Sequence, residues 1–293
     1  MCSTLAFQSL SIPNCPHQRT HADANPAMVS GVTAPPRRHL TVRRWLWNFA
    51  IASLVQWCAC SDVLGSNEQS GDKALFPQPI VRTGSEAGPT VLVVAGIHGN
   101  EPAGIRAAEI IAGWSVRRGK LVVISPANPA AVARRQRTIP DVPPEEADLN
   151  RNFVVEGREC RPRGTLARQL WHHVEQIRPD WLVDLHESVR FHKDRGVGNT
   201  LIVYPREKTL GVAKKLLVKI NQSITEPDEK FVLLRWPVRG SVARAAGTVL
   251  GCQSFILEST RQDPIARRVA YHCEFVLALL EELQMEPTAR IPK

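Results

Sequence analysis

Thr90-Val91-Leu92-Val93-Val94-Ala95-Gly96-Ile97-His98-Gly99-Asn100-Glu101-Pro102 is the stretch on which the reading of this 293-residue chain turns. Val91–Ala95 is an unbroken apolar run, mostly β-branched and without polar alternation, as a strand buried on both faces requires. The glycines behind it permit a tight turn. Pro102 sits where a first helical turn tolerates proline, and a helix over Ala103–Trp114 follows. A strand, a glycine-bearing turn and a helix open a β-α unit. That turn carries a histidine and a glutamate three residues apart.

Downstream the same alternation continues. Strands are predicted over Leu121–Ser125, Trp181–Leu185, Leu201–Tyr204, Phe231–Leu234 and Ser254–Leu257. Helices are predicted over Thr165–Ile177, Leu210–Ile220 and Pro264–Leu283, the last with Leu, Val and Ala on one face. Strands alternating with helices give an α/β fold with a mixed, largely parallel central sheet sandwiched by helices. The sequence has no internal repeat.

Sites in such sheets form outside the carboxyl ends of the strands. His98 directly follows the first strand, His186 the Trp181–Leu185 strand and Glu258 the Ser254–Leu257 strand, so sequence position alone sends all three to one rim. Two histidines and a glutamate with a fourth position open make a catalytic zinc set, here His98, Glu101 and His186. Read alone, His98 is equally a capping or core histidine, and the rim placement of His186 and Glu258 favours a ligand. Asp184 shares a strand face with His186. It either accepts the second ring N–H of that histidine or caps a loop as a buried strand-end acid.

Composition narrows the class. Hydrophobic residues make up 43% and charged residues 22%, as in a folded soluble protein, with a net charge of +9. Arg19, Arg37, Arg38, Arg43 and Arg44 put part of that charge in the first sixty residues, where Asp23 is the one acid. No dense Lys/Arg run with interleaved aromatics occurs beyond them, so the charge steers anionic substrates and no nucleic-acid partner is expected. Cys160, Cys252 and Cys273 lack metal-knuckle spacing and are odd in number, so they read as idle or buried thiols.

Residues 1–77 read as an address and a linker, and residues 78–293 as the catalytic domain. The first forty are rich in Ser, Thr, Pro, Ala and His without periodicity, the composition of disorder. Arg43-Arg44 then precedes the apolar run Trp45–Cys60, which has the outline of a secretory signal over about residues 43–60. Translation from Met28 would give that signal a compact basic start. Asn48 and Gln56 interrupt the run, and it is short for a bilayer span, so no stable span is expected in the mature protein. Export to the periplasm is the expectation, against a cytoplasmic enzyme with an N-terminal extension.

The ordered motifs resemble the zinc carboxypeptidase superfamily. They are Gly96-Ile-His98-Gly-Asn-Glu101, Asn128-Pro129, Arg137, Asp148-Leu-Asn150-Arg151-Asn-Phe153, Asp184-Leu-His186 and Phe255-Ile-Leu-Glu258, within about Thr90–Leu283. The resemblance implies one zinc ion per chain at His98, Glu101 and His186. It also implies that Arg137 polarises the scissile carbonyl, that Asn150 and Arg151 grip a substrate carboxylate, and that Glu258 activates the zinc-bound water. The substrate is then a small peptide or an N-acyl amino acid with a free carboxylate.

Two branches compete. Metallocarboxypeptidases and the murein peptide amidase act on peptides, whereas the succinylglutamate desuccinylase/aspartoacylase branch deacylates N-acyl amino acids. Deacylases usually carry a small β domain after the glutamate, and 35 residues follow Glu258 here, which favours the peptide branch. So do Gly240-Ser241 and Ile177-Arg-Pro-Asp-Trp181, which resemble the murein amidase. The short spacing from Glu101 to His186 is deacylase-like. Digestive carboxypeptidases place a tyrosine before the catalytic glutamate. Tyr204 is the one tyrosine between His186 and Glu258, in an early strand, leaving Trp236 or Arg239 as candidate pocket linings, with packing favoured for Trp236. A binding module that had lost catalysis is the remaining alternative, but no ligand or base is missing. If the signal is real, mass spectrometry of native protein should find a new N-terminus near Cys58–Ser61. An intact start at Met1 or Met28 refutes it.

Overall fold

The computed structural model describes residues 76–291 apart from Glu159. The leader and linker expected over residues 1–77 lie outside the described residues, except at Phe76 and Pro77. Phe76 is buried and stacks on the His173 ring at 5.3 Å, so the packed body begins with it.

In chain order the elements are β1 (Ile80–Thr83), β2 (Glu86–Ala95), α1 (Pro102–Ala112), β3 (Ser115–Val116), β4 (Arg118–Ile124), α2 (Pro129–Ala133), α3 (Pro144–Ala147), α4 (Thr165–Ile177), β5 (Trp181–Ser188), β6 (Thr200–Val203), α5 (Glu207–Asn221), β7 (Val232–Arg235), α6 (Val242–Ala245), β8 (Gln253–Thr260), α7 (Ile265–Glu282) and β9 (Pro287–Thr288). Seven strands form one sheet in the order β1-β4-β2-β5-β8-β6-β7. The run β4-β2-β5-β8 is parallel, β1 and β6 join it antiparallel, and β7 is parallel to β6. The sheet is therefore mixed and largely parallel, as expected.

Side-chain alternation along the strands divides the core in two. Val91, Val93, Ala95, Val183, Leu185, Phe255 and Leu257 face α1, α5 and α7. Leu92, Val94, Leu182 and Ile256 face α4, α6, Leu149 and Phe153. Each large side chain fully enclosed this way contributes roughly 1.5–3 kcal/mol relative to exposure. Both faces of β2 are filled, which is why its sequence shows no polar alternation.

Two strands run past their expected ends. β5 continues to Ser188 and β8 to Thr260 because the two pair in parallel register along their whole length, Trp181 with Gln253 through Ser188 with Thr260. His186 and Glu258 thus lie inside strands and not just after them, and the register sets them side by side. Among the described residues no helix is long and apolar enough to cross a membrane. Cys252 and Cys273 are buried free thiols, and burial pushes both up to about 12. Cys160, on an exposed loop, is disulfide-bonded, which corrects its reading as an idle thiol.

His272 on α7 is wholly enclosed. Its Nε2 lies 3.0 Å from Ser259 Oγ. Burial, reinforced by His186, lowers its pKa to about 3. The unfolded chain takes this proton near pH ~6.5 and the folded chain does not. Stability is therefore whole above that pH and falls as the pH drops, by about 1.4 kcal/mol per unit down to the folded pKa. His272→Gln should flatten the pH dependence of the urea midpoint between about pH 6 and pH 4. Parallel curves for the two proteins would assign the acid sensitivity elsewhere.

Candidate metal centre

The loop after β2 carries His98, and its position is fixed from behind. Asn128, capping α2, accepts from Ala131 N–H at 3.2 Å and donates to Ile97 O at 3.2 Å. Gly99 packs so closely on α2 that a Cβ there would lie 2.0 Å from the Ala131 carbonyl carbon, so only glycine fits. The loop ends at Glu101, the residue before α1, with Pro102 at the first helical position. Glu187 on β5 holds the start of α1 by accepting from Ala103 N–H at 3.0 Å, and its carboxylate also pairs with Arg268 of α7. The Glu187 N–H in turn donates to Glu101 Oε2 at 3.2 Å.

These constraints bring His98, Glu101 and His186 together, all buried, with their donor atoms within 4.8 Å of one another. Glu101 Oε1 lies 2.8 Å from His98 Nδ1, and Oε2 lies 2.9 Å from His186 Nδ1. The two Nδ1 atoms are 3.2 Å apart, with their rings tilted by 57°. A tetrahedral site with arms of about 2.1 Å has edges of about 3.4 Å. The three donors are spaced to share one cation.

The far nitrogen of each ring meets an acid. His98 Nε2 lies 3.1 Å from Asp148 Oδ1, and His186 Nε2 lies 2.8 Å from Asp184 Oδ2. Asp184 is fully buried with no hydrogen bond to any other group. A buried carboxylate is costly unless it accepts a hydrogen bond from a neighbour, so His186 donates its Nε2–H to Asp184 and directs Nδ1 inward. Two carboxylate–histidine pairs aimed at one point are the arrangement that orients and strengthens metal-binding imidazoles. Burial opposes charge on His186, but Asp184 and Glu101 outweigh it and hold its pKa well above the ordinary value. Burial likewise opposes charge on Glu101, and His186 and His98 keep its carboxyl well below the usual range.

Glu258 is aligned with His186 across β5 and β8 and faces the same side as Ile256, the side of the His98–Glu101–His186 cluster. It is half-buried at the rim, and burial raises its carboxyl to about 7. Arg137 reaches Glu101 at 3.4 Å and Asp148 at 3.2 Å. Arg151, on the single turn Leu149–Arg151, donates to Asn150 O at 2.9 Å and lies 3.8 Å from Asp148. Asn150 is buried. Its Oδ1 accepts from Val242 N–H at 3.2 Å, and its Nδ2 lies 3.1 Å from His186 Nε2. The predicted ligands, Asp184, Glu258, Arg137, Asn150 and Arg151 thus all lie in or beside this cluster. Of the two candidate linings, Arg239 lies beside Gly240, whose O accepts from Phe153 N–H, whereas Trp236 follows β7 at the end away from Glu258, since its neighbour Arg235 pairs with Val203 and Val203 with Phe255. Tyr204 sits at that same end, just past β6.

Asp148 was quoted in a motif without a role. It accepts from the Asn150 N–H at 3.0 Å and meets His98, Arg137 and Arg151. Partial burial raises its pKa, and His98 and the arginines overcome this and hold it below the usual carboxylate range. No strand alternation pointed to it, because it lies in a loop fifty residues from His98.

The fold is similar to that of the zinc carboxypeptidase-like superfamily, and the cluster holds the ordered motifs that resemble it. Residues 87–213 match the succinylglutamate desuccinylase/aspartoacylase catalytic domain, a span that holds His98, Glu101, Arg137, Asp148, Asn150, Arg151, Asp184 and His186 but not Glu258. Among solved structures, a variant of the cell shape determinant protein Csd4 from Helicobacter pylori matches at TM-score 0.64 and 20% identity, over 74% of this chain and 57% of that one. The mDAP-bound form of Csd4, described as a D,L-carboxypeptidase, matches at 0.59 and 20%, over 72% and 55%. A candidate metallopeptidase from Shewanella amazonensis matches at 0.52 and 16%, over 69% and 79%. The chain spans just over half the length of the Csd4 chains. No curated protein matches it in sequence. The resemblance drawn from the motifs, to this superfamily with its desuccinylase/aspartoacylase branch, is borne out.

His98→Ala should abolish tight metal binding, since it removes one of three ligands. Asp148→Asn should keep the fold and weaken the affinity by roughly ten- to a hundred-fold, the usual effect of losing the acid behind a metal histidine. Competition against a chromophoric chelator measures both. Wild-type affinity in Asp148→Asn would remove that residue from the metal centre.

Proposed function

We propose that the chain is a zinc-dependent hydrolase that cuts an amide bond next to a free carboxylate, with a small peptide as substrate. The observation that carries this reading is the convergence of two inward Nδ1 atoms and the Glu101 carboxylate, each histidine backed by an acid, beside Glu258. Two histidines, one glutamate and room for a fourth ligand suit catalytic zinc. A zinc ion held there would supply Lewis acidity and acidify a water molecule.

The protein's own residues divide the remaining work. Glu258, at the rim beside His186, takes the proton from the attacking water and passes it to the leaving amine. Arg137 offers N–H donors to the carbonyl oxygen as negative charge develops on it. Arg151 supplies a guanidinium fork suited to a carboxylate, and Asn150 supplies a second polar contact. Asp148 keeps both arginines turned toward the ligands. Structures of Csd4 with a tripeptide and with mDAP bound support a peptide substrate and, with it, an exported enzyme. The desuccinylase/aspartoacylase match favours a second reading, deacylation of an N-acyl amino acid by the same groups.

Zinc-loaded protein assayed on a cell-wall tripeptide and on N-acyl amino acids separates the two readings. Turnover of neither class defeats the hydrolase proposal. Glu258→Gln should keep zinc and substrate affinity while kcat falls by roughly two to four powers of ten. Arg151→Ala should act largely on KM, because its contact is already made in the ground state. Hydrolysis at the wild-type rate by zinc-loaded Glu258→Gln would show that another group activates the water.

A further inference from the structure

Trp236 has a φ of +68°, a backbone conformation that a bulky side chain rarely adopts, and it is 53% exposed. Such strain persists only where the surroundings impose it. Here the Trp236 N–H donates to Val203 O at 2.9 Å, and the ring meets Tyr204 edge-on at 5.4 Å. Tyr204 in turn lies against Gly247, where a Cβ would come within 2.3 Å of its ring, so a residue without a side chain is required. The outcome of this stack is a fixed Arg244. Its guanidinium sits 4.5 Å from the centre of the Trp236 ring and 6.0 Å from that of Tyr204, and Nη1 donates to Pro237 O at 3.3 Å.

Arg244 opens onto a cleft of about 270 Å³ lined by Val155, Glu156, Arg239, Gly240, Arg244 and Thr248. Neither Arg239 nor Arg244 has an ion-pair partner among the described residues. Two arginines against Glu156 leave the lining net positive. The cleft adjoins the catalytic strip, because Gly240 O accepts from the N–H of Phe153, two residues beyond Arg151.

We propose that this cleft is a second anion-binding site, which holds a carboxylate or phosphate group between Arg239 and Arg244 and is distinct from the grip assigned to Arg151. A guanidinium presents paired N–H donors that match the oxygens of either group. Stacking on Trp236 has already removed much of the freedom that Arg244 would otherwise lose on binding. The inference stands on the cleft and does not depend on the hydrolase reading.

Calorimetry on the full-length protein, with inorganic phosphate in one arm and glutarate in the other, tests it. Wild type should bind at least one of them with Kd on the order of 1 mM, and the arm that responds identifies the oxyanion. The double substitution Arg239→Met with Arg244→Met keeps unbranched stems over the aromatic rings and removes both charges. It should weaken binding roughly ten-fold or more, the scale of a lost charge-assisted pair. Arg239→Glu, at an exposed position, reverses one charge without touching the stack and should abolish binding. Arg151→Ala, which silences the separate carboxylate grip, should keep binding at this cleft and serves as the background in which the other variants are measured. No binding of either anion at about 10 mM, binding retained in Arg239→Glu, or loss of binding in Arg151→Ala would each overturn the proposal.

Discussion

The bridge that Glu101 makes between the two histidines is the constraint on which the rest of the structure depends. One carboxylate oxygen faces His98 Nδ1 and the other His186 Nδ1. That geometry needs the start of α1, the loop after β2 and the end of β5 to meet within a few ångström. The fold supplies this because β2 and β5 are parallel neighbours and α1 packs on both. Glu187 then fixes the angle of approach, since its backbone binds Glu101 and its side chain binds the first turn of the same helix.

Charge is arranged around the bridge in layers. Asp148 and Asp184 stand behind the imidazoles, and arginines stand in front of Asp148. Each buried acid is matched by a neighbouring donor, which is what a low-dielectric site demands. The arginines remain about half exposed, with the heads of Arg137 and Arg151 near the ligands, so they are open to an incoming anion while the acids are not.

Much of this was legible in the sequence wherever burial leaves a periodic trace. The β2 run and the α4 span Thr165–Ile177 could be read because each packs one continuous apolar surface. His98, His186 and Glu258 could be placed on one rim because strand ends are marked by the loss of apolar residues. The rule misjudged where β5 and β8 stop, since the last residues of those strands are polar and stay in the sheet by pairing with one another. β1 escaped notice because all four of its residues are exposed and leave no buried pattern. Asp148 and the Trp236–Arg244 stack depend on contacts between loops and distant elements, which no local pattern records.

The ligands are also separated in time. Glu101 and His186 lie 85 residues apart in the chain, so a ribosome adding about 5–20 residues per second delivers the third ligand several seconds after the first two. During that interval a nascent chain displays one histidine and one carboxylate on a turn whose partner strand has not yet been made. The acid that orients His98 arrives midway, and Arg268, which clamps Glu187, comes nearly last. The cluster of His98, Glu101 and His186 is therefore complete only once the sheet has closed, and any cation it takes meets the finished pocket rather than the first two side chains to emerge.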